Sequence, residues 1–128
     1  MITYSFINLK GGVGKTTISI NTAYILASAG AKVLFIDNDK QGNASYFFNA
    51  KDKEITLADV FLNPDLDIQK AIYPARKIQE GLIDILPSNM TLLPLNMKHT
   101  EIDAEDKTFI LKNALKSVED KYDFCIID

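Results

Sequence analysis

A glycine-rich stretch near the N-terminus has the residue types that hold phosphate groups. It runs over residues 10–17 and reads KGGVGKTT. Glycines let successive backbone N–H groups approach an anion, because no Cβ blocks the way and positive φ is allowed. A lysine can place a charge against the outer phosphates, and a threonine hydroxyl is a usual ligand of the Mg²⁺ that bridges them. The residues assigned to phosphate binding are Gly11, Gly12, Val13, Gly14, Lys15, Thr16 and Thr17.

The flanking segments give this loop the context that it needs. An apolar run over residues 2–7 predicts a strand, and residues 16–29 predict a helix. The general pattern G-x-x-x-x-G-K-[ST] would place glycine at position 9, where this chain has Leu9, so the general pattern fails. A glycine-rich turn that binds nothing is the simpler alternative, and the order of strand, loop, lysine and hydroxyls argues against it.

Three acids stand at the ends of predicted strands. Asp37 ends the run KVLFID, Asp39 follows it, and Asp128 ends the run FCIID. The carboxyl ends of parallel strands share one edge of a sheet, where ligands bind. The acids are therefore candidates for metal binding and for positioning water beside the loop. The alternative is that Asp37 and Asp39 only end a strand and begin a turn.

Alternating strands and helices predict an α/β fold, with a parallel sheet that carries helices on both faces. About four strands are visible, and the length fits one domain or part of one. The predicted strands are 2–7, 32–37, 82–86 and 124–127. The predicted helices are 16–29, 44–48, a segment capped by Thr56 that runs to 62, 68–73 and 108–118, with a short helix or loop at 89–97.

Composition excludes several classes of protein. A net charge of −3 does not indicate a protein whose whole surface attracts nucleic acid. The apolar runs are too short to span a membrane. The single Cys125, which we expect in the core, rules out an internal disulfide and leaves a cytoplasmic protein as the expectation. Arg76 is the one arginine, so an arginine finger from this chain would have to be Arg76. His99 has no clustered partners and is expected on the surface.

Two motifs resemble those of a known family. KGGVGKTT fits the variant pattern K-G-G-x-G-K-[ST]-[ST], the deviant Walker A motif of the ParA/MinD family of P-loop ATPases. DNDKQGN resembles that family's D-x-D-P-Q-G-N segment, with Lys40 where proline is usual, and FCIID has the shape of a Walker B strand. The resemblance implies ATP and Mg²⁺ as cofactors. Family members partition plasmids and chromosomes or position division sites.

The same resemblance implies roles for individual residues. Lys15 would contact the phosphates, and Lys10 would reach across a nucleotide-sandwich homodimer to the partner's ATP. Asp39 would polarise or position the attacking water. The metal would be held by Thr16, Asp37 and Asp128.

For the whole protein, the resemblance favours a partition ATPase that works as an ATP-dependent dimer switch. The chain would be the N-terminal part of one ATPase domain. A ParB-like centromere-binding protein and non-specific DNA are the implied partners, with DNA bound through the absent C-terminal part, and no membrane is expected. A MinD-like, membrane-associated division regulator and a non-catalytic nucleotide-binding fragment are the alternatives. An electron-transferring iron protein needs cysteines that this chain lacks.

Overall fold

A five-stranded sheet forms the centre of the chain. The computed structural model describes residues 1–8, 10, 12, 14–89 and 104–128. Its strands are β1 (Ile2–Ser5), β2 (Lys32–Ile36), β3 (Tyr73–Ile78), β4 (Gly81–Leu86) and β5 (Phe124–Ile127). Its α-helices are α1 (Lys15–Ser28), α2 (Asn43–Phe47), α3 (Leu57–Leu62) and α4 (Ala104–Lys116), and two short 3₁₀ helices cover Ile68–Ala71 and Glu119–Lys121.

The strand order is β1-β5-β2-β4-β3. The first four of these strands are parallel, with β5 between β1 and β2, and β3 is antiparallel to β4. The expected parallel sheet is therefore confirmed, and it has one additional antiparallel strand at its edge. This order sets the carboxyl ends of β5 and β2 side by side, next to the loop that follows β1.

The strand β3 corrects one prediction. A helix was expected over residues 68–73, but the 3₁₀ helix ends at Ala71 and Tyr73 begins a strand. Pro74 lacks an N–H group to donate, which an edge strand tolerates, and the pairing with β4 shifts register between Pro74 and Arg76. Edge position thus explains why this segment lacks the apolar run that marks the central strands.

The other predicted elements are present with small shifts at their ends. α1 begins at Lys15, one residue before the predicted start, and α4 begins at Ala104 rather than at residue 108. The predicted cap of α3 is confirmed: the Thr56 N–H donates to Asp59 at 2.7 Å in a capping box. The segment predicted as helix or loop at 89–97 lies outside the described residues except for Asn89, and so does His99.

Each face of the sheet has its own apolar cluster. Val33 and Phe35 of β2 pack with α1 and α2, whereas Leu34 and Ile36 pack with α3 and α4. Because both faces of β2 are covered, its sequence is a continuous apolar run. Cys125 is buried in the second cluster as expected, and burial raises the pKa of its thiol to about 12. No helix in the described part of the chain is both long and apolar enough to cross a membrane.

Gly81 lets β4 approach the end of α1 closely. A Cβ built on Gly81 would lie 1.9 Å from the carbonyl oxygen of Ala27, a backbone atom that cannot rotate away. We therefore expect Gly81→Ala to lower the free energy of unfolding by roughly 1–3 kcal/mol, as other overpacked cores do. Urea unfolding followed by circular dichroism measures the change. Glu80→Ala, in the exposed turn beside it, is the control, and equal stability of the two variants would contradict the expectation.

Candidate functional site

Asp128, at the end of β5, is the acid that contacts the start of α1. Its residue exposure is 4%. Its Oδ2 accepts a hydrogen bond from the Thr16 hydroxyl at 2.7 Å, and its Oδ1 accepts one from the Ser19 hydroxyl at 2.9 Å. The Lys15 Nζ lies 3.5 Å from the same Oδ1. The first turns of α1 and the end of β5 are therefore joined through one carboxylate.

The start of α1 presents backbone donors for which the described part of the chain shows no acceptor. The first hydrogen bond of the helix runs from the Ile18 N–H to the Gly14 carbonyl, so the N–H groups of residues 15–17 precede it. Gly12 and Gly14 have φ angles of +74° and +84°, a region that L side chains rarely adopt. Apart from the adjacent residues, no atom of the described part of the chain lies within 4 Å of a Cβ built on either glycine. This open, positively polarised helix start suits an anion.

Asp37, at the end of β2, is fully buried, with 0% exposure. Its Oδ2 accepts bonds from the Ser45 hydroxyl at 2.6 Å and the Ser45 N–H at 2.7 Å, and its Oδ1 accepts one from the Asp39 N–H at 3.1 Å. Burial raises the pKa of Asp37 above its usual value, and the negative charge of Asp128 adds to this rise. The bonds from Ser45 and Asp39 lower that pKa in opposition.

Asp39 and Lys10 lie in the loops around this edge. Asp39 is partly exposed; its Oδ1 accepts the Gln41 N–H at 3.0 Å and its carbonyl accepts the Gly42 N–H at 2.9 Å. Lys10 is exposed, and its N–H donates to the Asn8 side chain at 2.9 Å. The side chain of Asp39 is thus held in a tight turn through one carboxylate oxygen.

The predicted site residues fall into three groups. The structure brings Lys15, Thr16 and Asp128 into direct contact, and backbone bonds tie the ends of β5 and β2 together: the Asp128 N–H donates to Ile36 O and the Asn38 N–H donates to Asp128 O, both at 2.9 Å. Asp37, Asp39 and Lys10 lie around them without a direct side-chain bond to Asp128 among the contacts described above. Gly11 and Val13 lie outside the described residues.

Arg76 is placed away from this group. It lies on β3, at the opposite side of the sheet from β1, and its guanidinium donates to the Tyr24 hydroxyl at 3.0 Å. The same group lies over the Phe47 ring. Arg76 therefore packs the two helices α1 and α2 against the edge strand.

Two buried serines were missed at the sequence level. Ser19 follows Thr16 by three residues, and this spacing on a helix would have placed both hydroxyls on one face. Ser45 carried no such signal, because its partner Asp37 lies on another element and the contact depends on how α2 folds back.

The residues present fit a magnesium–nucleotide group. A hydroxyl and carboxylates are hard oxygen ligands, and Mg²⁺ is commonly held by one or two protein ligands together with waters and phosphate oxygens. Within the described residues no three His, Cys, Asp or Glu side chains cluster closely enough to form a metal site of their own. The residues that could hold the ion are Thr16 and Asp128, with Asp37 beside them at the end of β2.

Clefts reach the start of α1 from two sides. A cleft of about 700 Å³ is lined by Lys15, Asn38 and Asp128, together with β1 and α4. Another, of about 780 Å³, is lined by Thr16, Thr17 and residues of α2. The start of α1 is therefore accessible from both clefts.

The mostly parallel sheet, with a glycine loop opening α1 beside strand-end acids, defines an α/β protein of the P-loop class. The chain belongs to the AAA_31 family, described as an AAA domain, which matches residues 1–128.

Named relatives are similar in sequence to nearly the whole of this chain. The cell division protein PomZ of Myxococcus xanthus (strain DK1622) is 37% identical over 128 residues, which cover 96% of this chain and 37% of PomZ. The chromosome partitioning protein ParA of the same strain is 35% identical over 123 residues, which cover 94% of this chain and 41% of that protein. The chain therefore spans well under half the length of these relatives.

Solved structures share the fold at similar identity. A plasmid partition protein from Borrelia burgdorferi matches with a TM-score of 0.82 and 28% identity, over 99% of this chain and 55% of that one. An ATP complex of McdA from Cyanothece matches with a TM-score of 0.80 and 29% identity, over 100% and 47%. Cobyrinic acid a,c-diamide synthase from Mycobacterium smegmatis, with an ATP analogue and magnesium bound, matches with a TM-score of 0.73 and 29% identity, over 100% and 50%.

The Ser19 contact can be tested through stability. Ser19→Ala removes a fully buried donor to the Asp128 carboxylate. Hydrogen bonds to charged groups contribute about 1.5–3 kcal/mol, so we expect unfolding to become easier by about that amount. Urea denaturation gives the value. Ser117→Ala, an exposed serine bonded only to its own helix carbonyl at Ala114, is the control and should change little. A Ser19→Ala variant as stable as this control would show that the bond contributes nothing.

Proposed function

We propose that the chain forms the N-terminal part of a Mg²⁺-dependent partition ATPase of the ParA type. The observation that carries this proposal is the contact of Thr16 and Lys15 with Asp128, which joins the phosphate loop to the end of β5. A hydroxyl, an ammonium and a carboxylate within hydrogen-bonding range are the groups that a nucleotide with a divalent ion requires.

The helix start and Lys15 would bind the phosphates. The N–H groups of residues 15–17 and the positive end of α1 favour an anion, and the Lys15 ammonium is only partly exposed. Asp128 lies 3.5 Å from that ammonium, which keeps the positive charge beside the loop.

Thr16 and Asp128 would hold Mg²⁺, and Asp37 would support them from the end of β2. The ion, when bound, neutralises phosphate charge and polarises the phosphoryl group. Asp39 would accept a hydrogen bond from the attacking water and orient it, since its carboxylate is the more accessible of the two loop acids. Lys10 is exposed, which suits a group that acts on a neighbouring subunit's nucleotide.

The relatives support the proposed biological role. PomZ and ParA are named for cell division and chromosome partitioning, and a plasmid partition protein shares the fold. ATP would close a homodimer, and hydrolysis would reset it. Non-specific DNA, a ParB-like centromere-binding protein and association with the nucleoid are the partners and location that we propose.

Nucleotide binding is tested by thermal unfolding. With Mg²⁺–ATP at about 100 times its Kd, the folded protein should gain about 2.7 kcal/mol, seen as a rise in Tm. Lys15→Ala should lose this rise because the phosphates lose their cation. Lys70→Ala, an exposed lysine on the first 3₁₀ helix that lines neither cleft, is the matched control and should keep it. Absence of any shift in the wild type would overturn nucleotide binding.

Turnover is tested in the full-length protein by a mixing experiment. Asp39→Ala and Lys10→Ala should each lower kcat about a hundredfold or more, because one loses the group that orients water and the other a phosphate contact. If Lys10 acts on the neighbouring subunit, a mixed dimer has one intact site. An equal mixture should then recover about a quarter of wild-type activity, since half the dimers are mixed.

Two results would contradict this assignment. No recovery on mixing would mean that Lys10 acts within its own subunit or not at all. Wild-type rates in both single variants would mean that the site residues are wrong.

A second candidate is a division-site regulator. The observation that favours it is the 37% identity to PomZ, a cell division protein. Binding of the ATP-loaded protein to DNA and to anionic lipid vesicles separates a nucleoid-bound protein from a membrane-associated one.

A further inference from the structure

Three fully buried groups connect the ends of β2 and β4 through α2. Asp37, Ser45 and Ser88 each have 0% exposure. The Ser88 N–H donates to the Ser45 hydroxyl oxygen at 2.8 Å, and that hydroxyl donates to the Asp37 Oδ2 at 2.6 Å. A loop that follows β4 is thus bonded to a strand-end acid through one side chain.

The direction of these bonds is fixed by chemistry. A backbone N–H can only donate, so the Ser45 oxygen must accept from Ser88. The hydroxyl has one proton, and an ionised carboxylate can only accept, so that proton points at Asp37. The Ser45 hydroxyl therefore accepts one hydrogen bond, from Ser88, and donates one, to Asp37. It is the side chain that links these two partners.

The network continues to Asp39. The other carboxylate oxygen, Asp37 Oδ1, accepts the Asp39 N–H at 3.1 Å. The Asp39 carbonyl then accepts the Gly42 N–H at 2.9 Å, three residues before Ser45. Hydrogen bonds therefore hold the Asp39 backbone on both sides. Its N–H is bonded to Asp37, which Ser45 contacts, and its carbonyl is bonded to Gly42, the N-cap of the helix that contains Ser45.

We propose that Ser45 is a positioning residue for ATP hydrolysis, acting through Asp37 to fix the backbone at Asp39. This inference rests on the proposed function, because it assigns Asp39 to the orientation of water. Among the described contacts, the hydrogen bonds of Ser45 go to Asp37 and Ser88. Loss of its hydroxyl leaves the contacts of Lys15 and Thr16 with Asp128 in place, so the hydrolytic step should lose more than the affinity for nucleotide. Its bond to the Ser88 N–H also makes the segment after β4 part of the support for Asp39.

The kinetic test compares Ser45→Ala with Ser45→Thr in the full-length protein. Alanine keeps the backbone donor to Asp37 and removes only the hydroxyl. We expect kcat to fall about tenfold or more while KM and the Kd for Mg²⁺–ATP stay within about twofold. Threonine, which retains the hydroxyl, should recover most of kcat, and Ser117→Ala should match the wild type. Unchanged kcat in Ser45→Ala, or a loss confined to nucleotide affinity, would overturn the proposal.

Hydrogen exchange tests the same proposal without any activity. In Ser45→Ala the amide of Asp39 should exchange at least about tenfold faster, because the carboxylate that accepts it loses the hydroxyl and keeps only the backbone N–H of residue 45 as a donor. Peptides from β5 should be unaffected. Ser88→Ala is the matched control: its hydroxyl is buried without a hydrogen-bond partner in the described part of the chain, and its N–H donor to Ser45 remains.

The outcomes separate this inference from the proposed function. A wild type without ATPase activity overturns the function, and the exchange result still decides whether Ser45 fixes Asp39. Unchanged exchange at Asp39 in a folded Ser45→Ala protein overturns the inference. If circular dichroism shows that Ser45→Ala is unfolded, Ser45→Cys, with a similar size and a weaker donor, replaces it in both assays under the same criteria.

Discussion

The burial of the Asp128 carboxylate is the constraint on which the arrangement of the site depends. A charged carboxylate removed from water is strongly destabilising unless donors surround it. Here the donors are Thr16, Ser19 and Lys15, all from the first turns of α1. The glycine loop must therefore bring the helix start directly over the end of β5. The same placement directs the first N–H groups of α1 toward this edge, which favours an anion there.

A second buried acid stands on the neighbouring strand, and the two acids repel each other. The pKa of Asp37 is raised by burial and by the charge of Asp128. Each acid has its own buried serine: Ser19 for Asp128 and Ser45 for Asp37. These hydroxyls and the Lys15 ammonium offset part of the repulsion, and a divalent ion between the strand ends would offset more. The electrostatics of this edge thus favour the chemistry that the loop sequence indicates.

Much of the fold and part of the site could be predicted from the sequence, because the signals were local. The apolar run of β2 is continuous since both its faces are covered, and the loop before α1 needs its glycines for its own backbone angles. The strand-end acids could be placed at one edge by topology alone. The strand β3 could not be predicted, because an edge strand with Pro74 shows neither alternation nor an apolar run. The Ser45 contact was also hidden, since it joins two elements whose approach is a tertiary property.

The position of β1 in the sheet has a consequence for folding kinetics. β1 pairs with β5, so the first strand of the chain joins the last, and Thr16 and Asp128 are 112 residues apart. The hairpin of β3 and β4 closes over a two-residue turn and can form on a microsecond scale. Closure of the long loop to β5 has a larger entropic cost and must wait for the strands between. We therefore expect the edge that carries Thr16 and Asp128 to form after the local β3–β4 hairpin.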